Sequence, residues 1–279
     1  MTAKMTEGSR ISPSTVRGCL RTRILGQASL YFRSLSSTND VAKHLATRGI
    51  KEGTIVLAEN QSKGKGRLGR KWFSPKGGLW FSVILRPEIE PKHAPKLTLL
   101  GSVAVVKTMN KLYGIGAEIK WPNDILINQK KVCGILTETS IGGENLNFAV
   151  LGFGVNANLD LEAFPQHLRD CATTLKAQLG KEISREILLC NLMENVENSY
   201  VSFGNRKFEA ILDEWRKLSG FLGSHVRILD GKRAIEGTAL DLDAEGALIV
   251  RLKDQNIHQV ISGDVTRIIR ARHSEQNSD

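Results

Sequence analysis

The chain has 279 residues, 41% of them hydrophobic, and a formal net charge of +10. That length can bury a full core and suits one large domain with a smaller companion. The lack of any apolar run of about 18 residues excludes a membrane-spanning helix, and the basic surplus favours anionic partners (nucleic acid, anionic lipid, phosphate-bearing substrates) without choosing among them.

Residues 1–28 carry Lys4, Arg10, Arg17, Arg21 and Arg23 against a single acid, Glu7, among many Ser and Thr. The composition resembles a transit peptide, but we read it as a short, partly ordered arm, too short for a helix-turn-helix domain; residues 1–20 hold no motif residue, so catalysis should survive their deletion. Residues 29–35 (SLYFRSL) read as a strand. Ser37 then offers a hydroxyl N-cap, with Asp40 three positions on, for a helix to about Arg48. Residues 54–59 (TIVLAE) are a second strand, and 60–71, with three glycines and no hydrophobic period, are a loop. The apolar run 78–85 (GLWFSVIL) is expected to be a strand buried on both faces.

Leu97, Leu100, Val103, Val106 and Met109 recur at helical spacing over residues 94–112, with Gly114 as the stop. Strand-like segments follow at 117–121, 125–128, 131–139 and 147–155, with hairpin turns at 128–130 and 142–145. Ser184 looks like the N-cap of a helix running to about Phe203, and a second helix covers 208–218. Five short strands then fall at 225–229, 234–241, 247–252, 257–261 and 265–269, the pattern of a small β barrel. The expected architecture is α+β, a mixed sheet backed by helices plus that barrel. It divides into an arm (1–28), a main domain (29–219), the small β domain (220–270) and a polar tail (271–279). The four cysteines, Cys19, Cys133, Cys171 and Cys190, form no C-x-x-C pair and are expected to be reduced thiols in an intracellular protein.

Five segments carry chemistry. Gly64, Gly66 and Gly69 alternate with Lys63, Lys65, Arg67, Arg70 and Lys71, a Gly-rich cationic loop suited to anions though not a P-loop. Alone it reads equally as an RNA-binding tract or a solvated loop. Residues 120–124 (KWPND) present Asn123 and Asp124 after a rigid Pro122; Asp124 could help hold Mg²⁺, or the segment could be a plain Asx turn. Lys131 leads an apolar strand whose Gly134 suggests close approach by a ligand or another backbone. Residues 152–158 (GFGVNAN) end a strand in glycines and amides, Asn156 among them. Ser37, Thr38 and Asn39 at a helix start are caps or readers of a polar small molecule.

In this order the segments resemble the biotin–protein ligases: Ser37-Thr38-Asn39, Gln61, the loop through Trp72, KWPND, Lys131 with Gly134, and 152–156. The resemblance spans roughly residues 30–269. It implies a class II synthetase-like catalytic domain with a C-terminal SH3-like barrel, and a two-step ligase reaction that uses ATP and biotin as substrates with Mg²⁺. Biotin becomes biotinyl-5′-AMP and then passes to a lysine of a biotin carboxyl carrier domain. By resemblance, Ser37, Thr38, Asn39, Gln61, Lys65, Gly66, Arg67, Lys131 and Gly134 face biotin. Arg70, Trp72, Asn123, Asp124 and Asn156 face ATP, with Asp124 near the metal, and Arg67 and Lys131 hold the charge where the two anions meet. The family often has Arg where this chain has Lys65. A cytoplasmic, single-function ligase is implied, without DNA binding or membrane association and compatible with a homodimer. The nearest rival is a lipoate–protein ligase, against which the R-x-G-R-x-W loop and KWPND argue. A nucleic-acid-binding protein would need exposed aromatics for stacking, and residues 225–269 contain no Phe, Tyr or Trp.

Overall fold

The computed structural model describes residues 11–204, 208–231 and 233–269. The first ten residues of the arm and the 271–279 tail lie outside the described residues. The arm begins with α1 (Pro13–Cys19), capped by Ser12, whose hydroxyl accepts from the Thr15 amide. Then come β1 (Ser29–Phe32), α2 (Thr38–Thr47), β2 (Ile55–Ala58), β3 (Leu79–Leu85), α3 (Pro95–Tyr113), β4 (Glu118–Lys120), β5 (Asp124–Ile127), β6 (Lys130–Gly142) and β7 (Asn145–Val155). Two short helices, α4 (Gln166–Arg169) and α5 (Leu175–Leu179), precede α6 (Arg185–Gly204) and α7 (Phe208–Leu218). The chain closes with β8 (His225–Asp230), β9 (Arg233–Leu242), β10 (Leu248–Leu252), β11 (Ile257–Val260) and β12 (Asp264–Ile269).

The first seven strands form one sheet in the order β1-β2-β3-β7-β6-β5-β4, antiparallel except for the parallel β1–β2 pair. Every residue of β3 is buried because α2 covers one face of the sheet and α3, backed by α6 and α7, covers the other. Burial of such an apolar strand contributes roughly 1.5–3 kcal/mol per large side chain. Helix α3 starts with Pro95 and stops at Gly114, whose φ of 65° is the left-handed cap the sequence predicts. The last five strands form an antiparallel sheet, β11-β10-β9-β8-β12, the small β unit expected at the C-terminus. It is fastened to the large sheet by Trp121 Nε1 donating to the Gly246 carbonyl at 3.1 Å and by Arg216 reaching Asp241 at 2.8 Å.

Two expectations need correction. The arm is packed from Ile11 onward. Ile11, Val16 and Leu25 are core residues, and Glu197 on α6 accepts the backbone N–H groups of Arg23, Ile24 and Leu25 at 2.7 Å each. Removing residues up to 20 therefore takes out buried side chains. Cys19 and Cys190 are joined as a disulfide with Cα atoms 6.0 Å apart, while Cys133 and Cys171 are free. Two cysteines 171 positions apart leave no spacing signal, so only the packing of α1 on α6 pairs them.

Candidate active site

A cavity of about 510 Å³ lies against β5, β6 and β7, walled by the start of α2, the 64–72 loop and the start of β12. Every residue that the resemblance assigns to biotin or ATP lines it: Ser37, Thr38, Asn39, Gln61, Lys65, Gly66, Arg67, Arg70, Trp72, Asn123, Asp124, Lys131, Gly134 and Asn156. The floor is bare backbone. Gly134 faces Gly154 across the sheet and Leu136 faces Gly152. A Cβ on Gly154 would stand 2.4 Å from Trp72 Nε1, and one on Gly152 would stand 2.0 Å from Asn39 Oδ1. The Trp72 and Asn39 side chains lie against the strands because those strands offer no side chain there.

One end of the cavity is lined by uncharged side chains, most of them hydrogen-bonded to one another. Ser37, Thr38 and Asn39 are buried. Ser37 makes no side-chain cap bond to α2, contrary to the sequence reading. The chain after β2 folds back across the helix start, and Gln61 Oε1 satisfies another of the open N–H groups there, that of Thr38, at 2.7 Å. Asp40, expected as the capping-box partner, is ion-paired with Lys65 instead. That contact raises the Lys65 pKa above its usual value. Asn39 Nδ2 donates to the Leu136 carbonyl at 3.3 Å and to Glu138 Oε2 at 2.9 Å, and Lys43 holds the other Glu138 oxygen at 2.8 Å.

The other end is charged: two lysines share the Asp124 carboxylate and two arginines share that of Asp264. Lys131 Nζ sits 2.5 Å from Asp124 Oδ1 and 4.9 Å from the centre of the Trp72 ring. Lys120 approaches the same carboxylate at 3.9 Å, and burial pulls its pKa below the usual lysine value. Arg67 donates to Asp264 Oδ1 at 3.1 Å, to the Gly263 carbonyl at 3.0 Å and to Asn123 Oδ1 at 3.5 Å. Burial pulls the Arg67 guanidinium below its usual value, against the opposing pull of Asp264. Arg70 lies 2.7 Å from Asp264 Oδ2, an ion pair poorly aligned for a hydrogen bond, since that oxygen has no hydrogen-bond partner. Asn123 follows the cis Trp121–Pro122 bond and donates to the Ile135 carbonyl at 2.8 Å. Asn156 Nδ2 is bound to the Thr173 carbonyl at 3.0 Å. Its Oδ1 and Trp72 Nε1 are buried without a hydrogen bond, one acceptor and one donor with capacity for a ligand.

The sequence reading missed Asp264, Ser82 and Glu138. Asp264 comes from the C-terminal sheet and carries no local signal. Ser82 does, as the one hydroxyl inside an apolar strand. Among the described residues no three His, Cys, Asp or Glu side chains group as a metal site. Asp124 offers one carboxylate already engaged by Lys131, so the donors fit Mg²⁺ only as a companion of a polyphosphate that supplies most of the oxygens.

The model of the biotin/lipoate A/B protein ligase family matches residues 31–156, and that of the biotin protein ligase C-terminal domain matches residues 221–267. The chain is 37% identical over 257 residues to the bifunctional ligase/repressor of Bacillus subtilis, covering 92% of this chain and 79% of that one. It is 30% identical to the biotin–[acetyl-CoA-carboxylase] ligase of Paracoccus denitrificans, with 77% and 90% covered. The biotin protein ligase of Aquifex aeolicus, solved in complex with biotin and ATP, superposes with a TM-score of 0.74 at 28% identity, covering 88% of this chain and all of that one. On this sequence likeness, with the cavity and both sheets in place, the chain belongs to the biotin protein ligases.

Proposed function

We propose that the protein joins biotin to ATP as biotinyl-5′-AMP, with release of pyrophosphate, and then transfers the biotinyl group to a lysine of a biotin carboxyl carrier domain. The carrying observation is one cavity with a neutral, hydrogen-bonding end and a cationic end. The buried amides and hydroxyls around Thr38, Asn39 and Gln61 suit the ureido ring, and Lys65 and Gly66 stand beside the tail. Lys131 and Arg67 neutralise charge where the biotin carboxylate attacks the α-phosphate; the new C–O–P linkage forms as the bond to the β-phosphate oxygen breaks. Arg70, Asn123, Asp124, Trp72 and Asn156 serve the nucleotide, with the free Asn156 Oδ1 able to accept from an exocyclic amine. Magnesium bound with the polyphosphate, beside Asp124, supplies further charge neutralisation. The carrier lysine then attacks the mixed anhydride, and AMP leaves with the electron pair.

Lys120 and Lys131 are paired with Asp124, and Arg67 and Arg70 with Asp264, so anionic substrates have to take over those contacts. A closed 64–72 loop over the product would keep the anhydride from water until the carrier arrives. A reaction that consumes ATP and modifies a carboxylase carrier is assigned to the cytoplasm; no described helix is long and apolar enough to cross a membrane. The test is incubation with ATP, Mg²⁺, a carrier domain and either biotin or lipoate, followed by intact mass. A gain of one biotinyl group, dependent on ATP, is expected. No gain, or gain with lipoate alone, overturns the proposal.

A further inference from the structure

Ser82 sits in the middle of β3, fully buried, between Val56 on β2 and Gly152 on β7. Its Oγ lies 2.7 Å from Thr38 Oγ1 and 2.6 Å from Asn39 Oδ1. A serine hydroxyl carries one proton, so it serves one of these neighbours as donor at a time. The Asn39 amide is fixed in orientation, because its Nδ2 must face the Glu138 carboxylate. Two proton arrangements therefore satisfy the cluster. In the first, Ser82 donates to Asn39 Oδ1, Thr38 donates to Gln61 Oε1 at 3.1 Å, and Thr38 Oγ1 keeps its lone pairs for another donor. In the second, Ser82 donates to Thr38, Thr38 donates to Gln61 Oε1 at 3.1 Å, and Asn39 Oδ1 is the acceptor left over.

We propose that Ser82 is a positioning residue for the acid substrate: its single proton decides which of Thr38 Oγ1 and Asn39 Oδ1 accepts from the N–H groups of a cyclic urea. The inference rests on the biotin reading above and deepens it. Thr38 and Asn39 both line the cavity, whereas Ser82 does not, so Ser82 acts through them. A ligand with N–H donors completes either arrangement, while an acid without such donors leaves a buried acceptor unpaired. The relay also runs outward. Gln61 Nε2 donates to Ser74 Oγ at 2.9 Å, and Ser74 donates to the Trp72 carbonyl at 3.0 Å. A Cβ on Gly64 would stand 2.4 Å from both Ser74 Oγ and that carbonyl. The hydrogen-bond chain that starts at Ser82 thus ends at the root of the cationic loop.

The experiment compares wild type, Ser82→Ala and Ser82→Cys, a near-isosteric weak donor that carries the test if the alanine variant does not fold. Biotin affinity is measured by titration without ATP, and KM for biotin, KM for ATP and kcat by pyrophosphate release. Loss of one buried hydrogen bond should weaken biotin roughly tenfold to a hundredfold, with KM for ATP and with kcat at saturating biotin staying within about twofold. Unchanged biotin affinity in a folded variant overturns the proposal, and so does a parallel loss in biotin, ATP and kcat, which would mark Ser82 as packing alone. Wild-type protein that does not bind biotin overturns the ligase reading itself, an outcome separable from either.

Discussion

The two ends of the cavity are built on opposite principles. Around Thr38, Asn39, Gln61 and Ser82 the groups are uncharged and bonded to one another, and all but the half-buried Gln61 are buried, so each holds its neighbour in orientation. Around Arg67, Arg70, Lys120 and Lys131 the groups are charged, and Asp124 and Asp264 hold them. The neutral end can recognise shape and hydrogen-bond pattern at little reorganisation cost. The charged end must exchange partners: an incoming carboxylate or phosphate replaces a protein carboxylate. Such an exchange keeps the cations in place without committing them, which suits a site that joins two anions.

The comparison breaks most visibly at Lys131. Replacing it by Ala leaves Asp124 with only Lys120 nearby, at 3.9 Å, and removes the charge expected to meet the biotin carboxylate. Biotin-dependent exchange of labelled pyrophosphate into ATP should fall by roughly 100- to 1,000-fold. An activity within about threefold of wild type would contradict the assignment of the charged end.

The neutral end is tested next by Gly152→Ala. The new Cβ would overlap Asn39 Oδ1 at 2.0 Å and force that amide off Ser82 and Glu138. KM for biotin should rise roughly tenfold or more, with KM for ATP changing far less. If both rise together, the two ends are not separable in the way the geometry implies.

How much of this could be read from the chain depends on whether a contact is local. The strands and the long helices follow from periodicity, because each depends on its immediate neighbours, and the residues assigned to biotin and ATP follow from the resemblance of their motifs. The capping of α2 did not follow: Ser37 has the right chemistry at the right place but makes no cap bond, and the helix start is served instead by Gln61, 23 positions after Thr38. The Cys19–Cys190 pair and the reach of Asp264 to Arg67, 197 positions away, are invisible for the same reason. Ser82 is the intermediate case. A hydroxyl inside LWFSVIL is a visible anomaly, but only the approach of Asn39 across Gly152 gives it a meaning.

Asp264 lets the charged end be loosened without removing a cation. Asp264→Asn keeps the size of the side chain and takes away the charge facing Arg67 and Arg70. Limited trypsin digestion of the ligand-free protein should cut the 64–72 loop about three- to tenfold faster than in wild type. With biotin and ATP present the two proteins should be cut alike, since anionic substrates then hold the arginines. Equal digestion of the free proteins would show that Asp264 does not restrain the loop.

Lys65 is where the smallest effect is expected, because it belongs to neither end. It stands where the family often has Arg, and a planar guanidinium is no substitute for an ammonium where two parallel bonds are needed. Here the lysine meets a single oxygen of Asp40, in the first turn of α2, with both side chains more than a third exposed. A point charge satisfies that contact as well as a fork does, and an exposed pair contributes little. Lys65→Arg should therefore leave KM for biotin and the rate of pyrophosphate release within about twofold of wild type. A gain or loss of tenfold would show that this side chain leaves Asp40 during the reaction and takes up a two-pronged contact with the substrate carboxylate, which would move Lys65 into the charged end of the cavity.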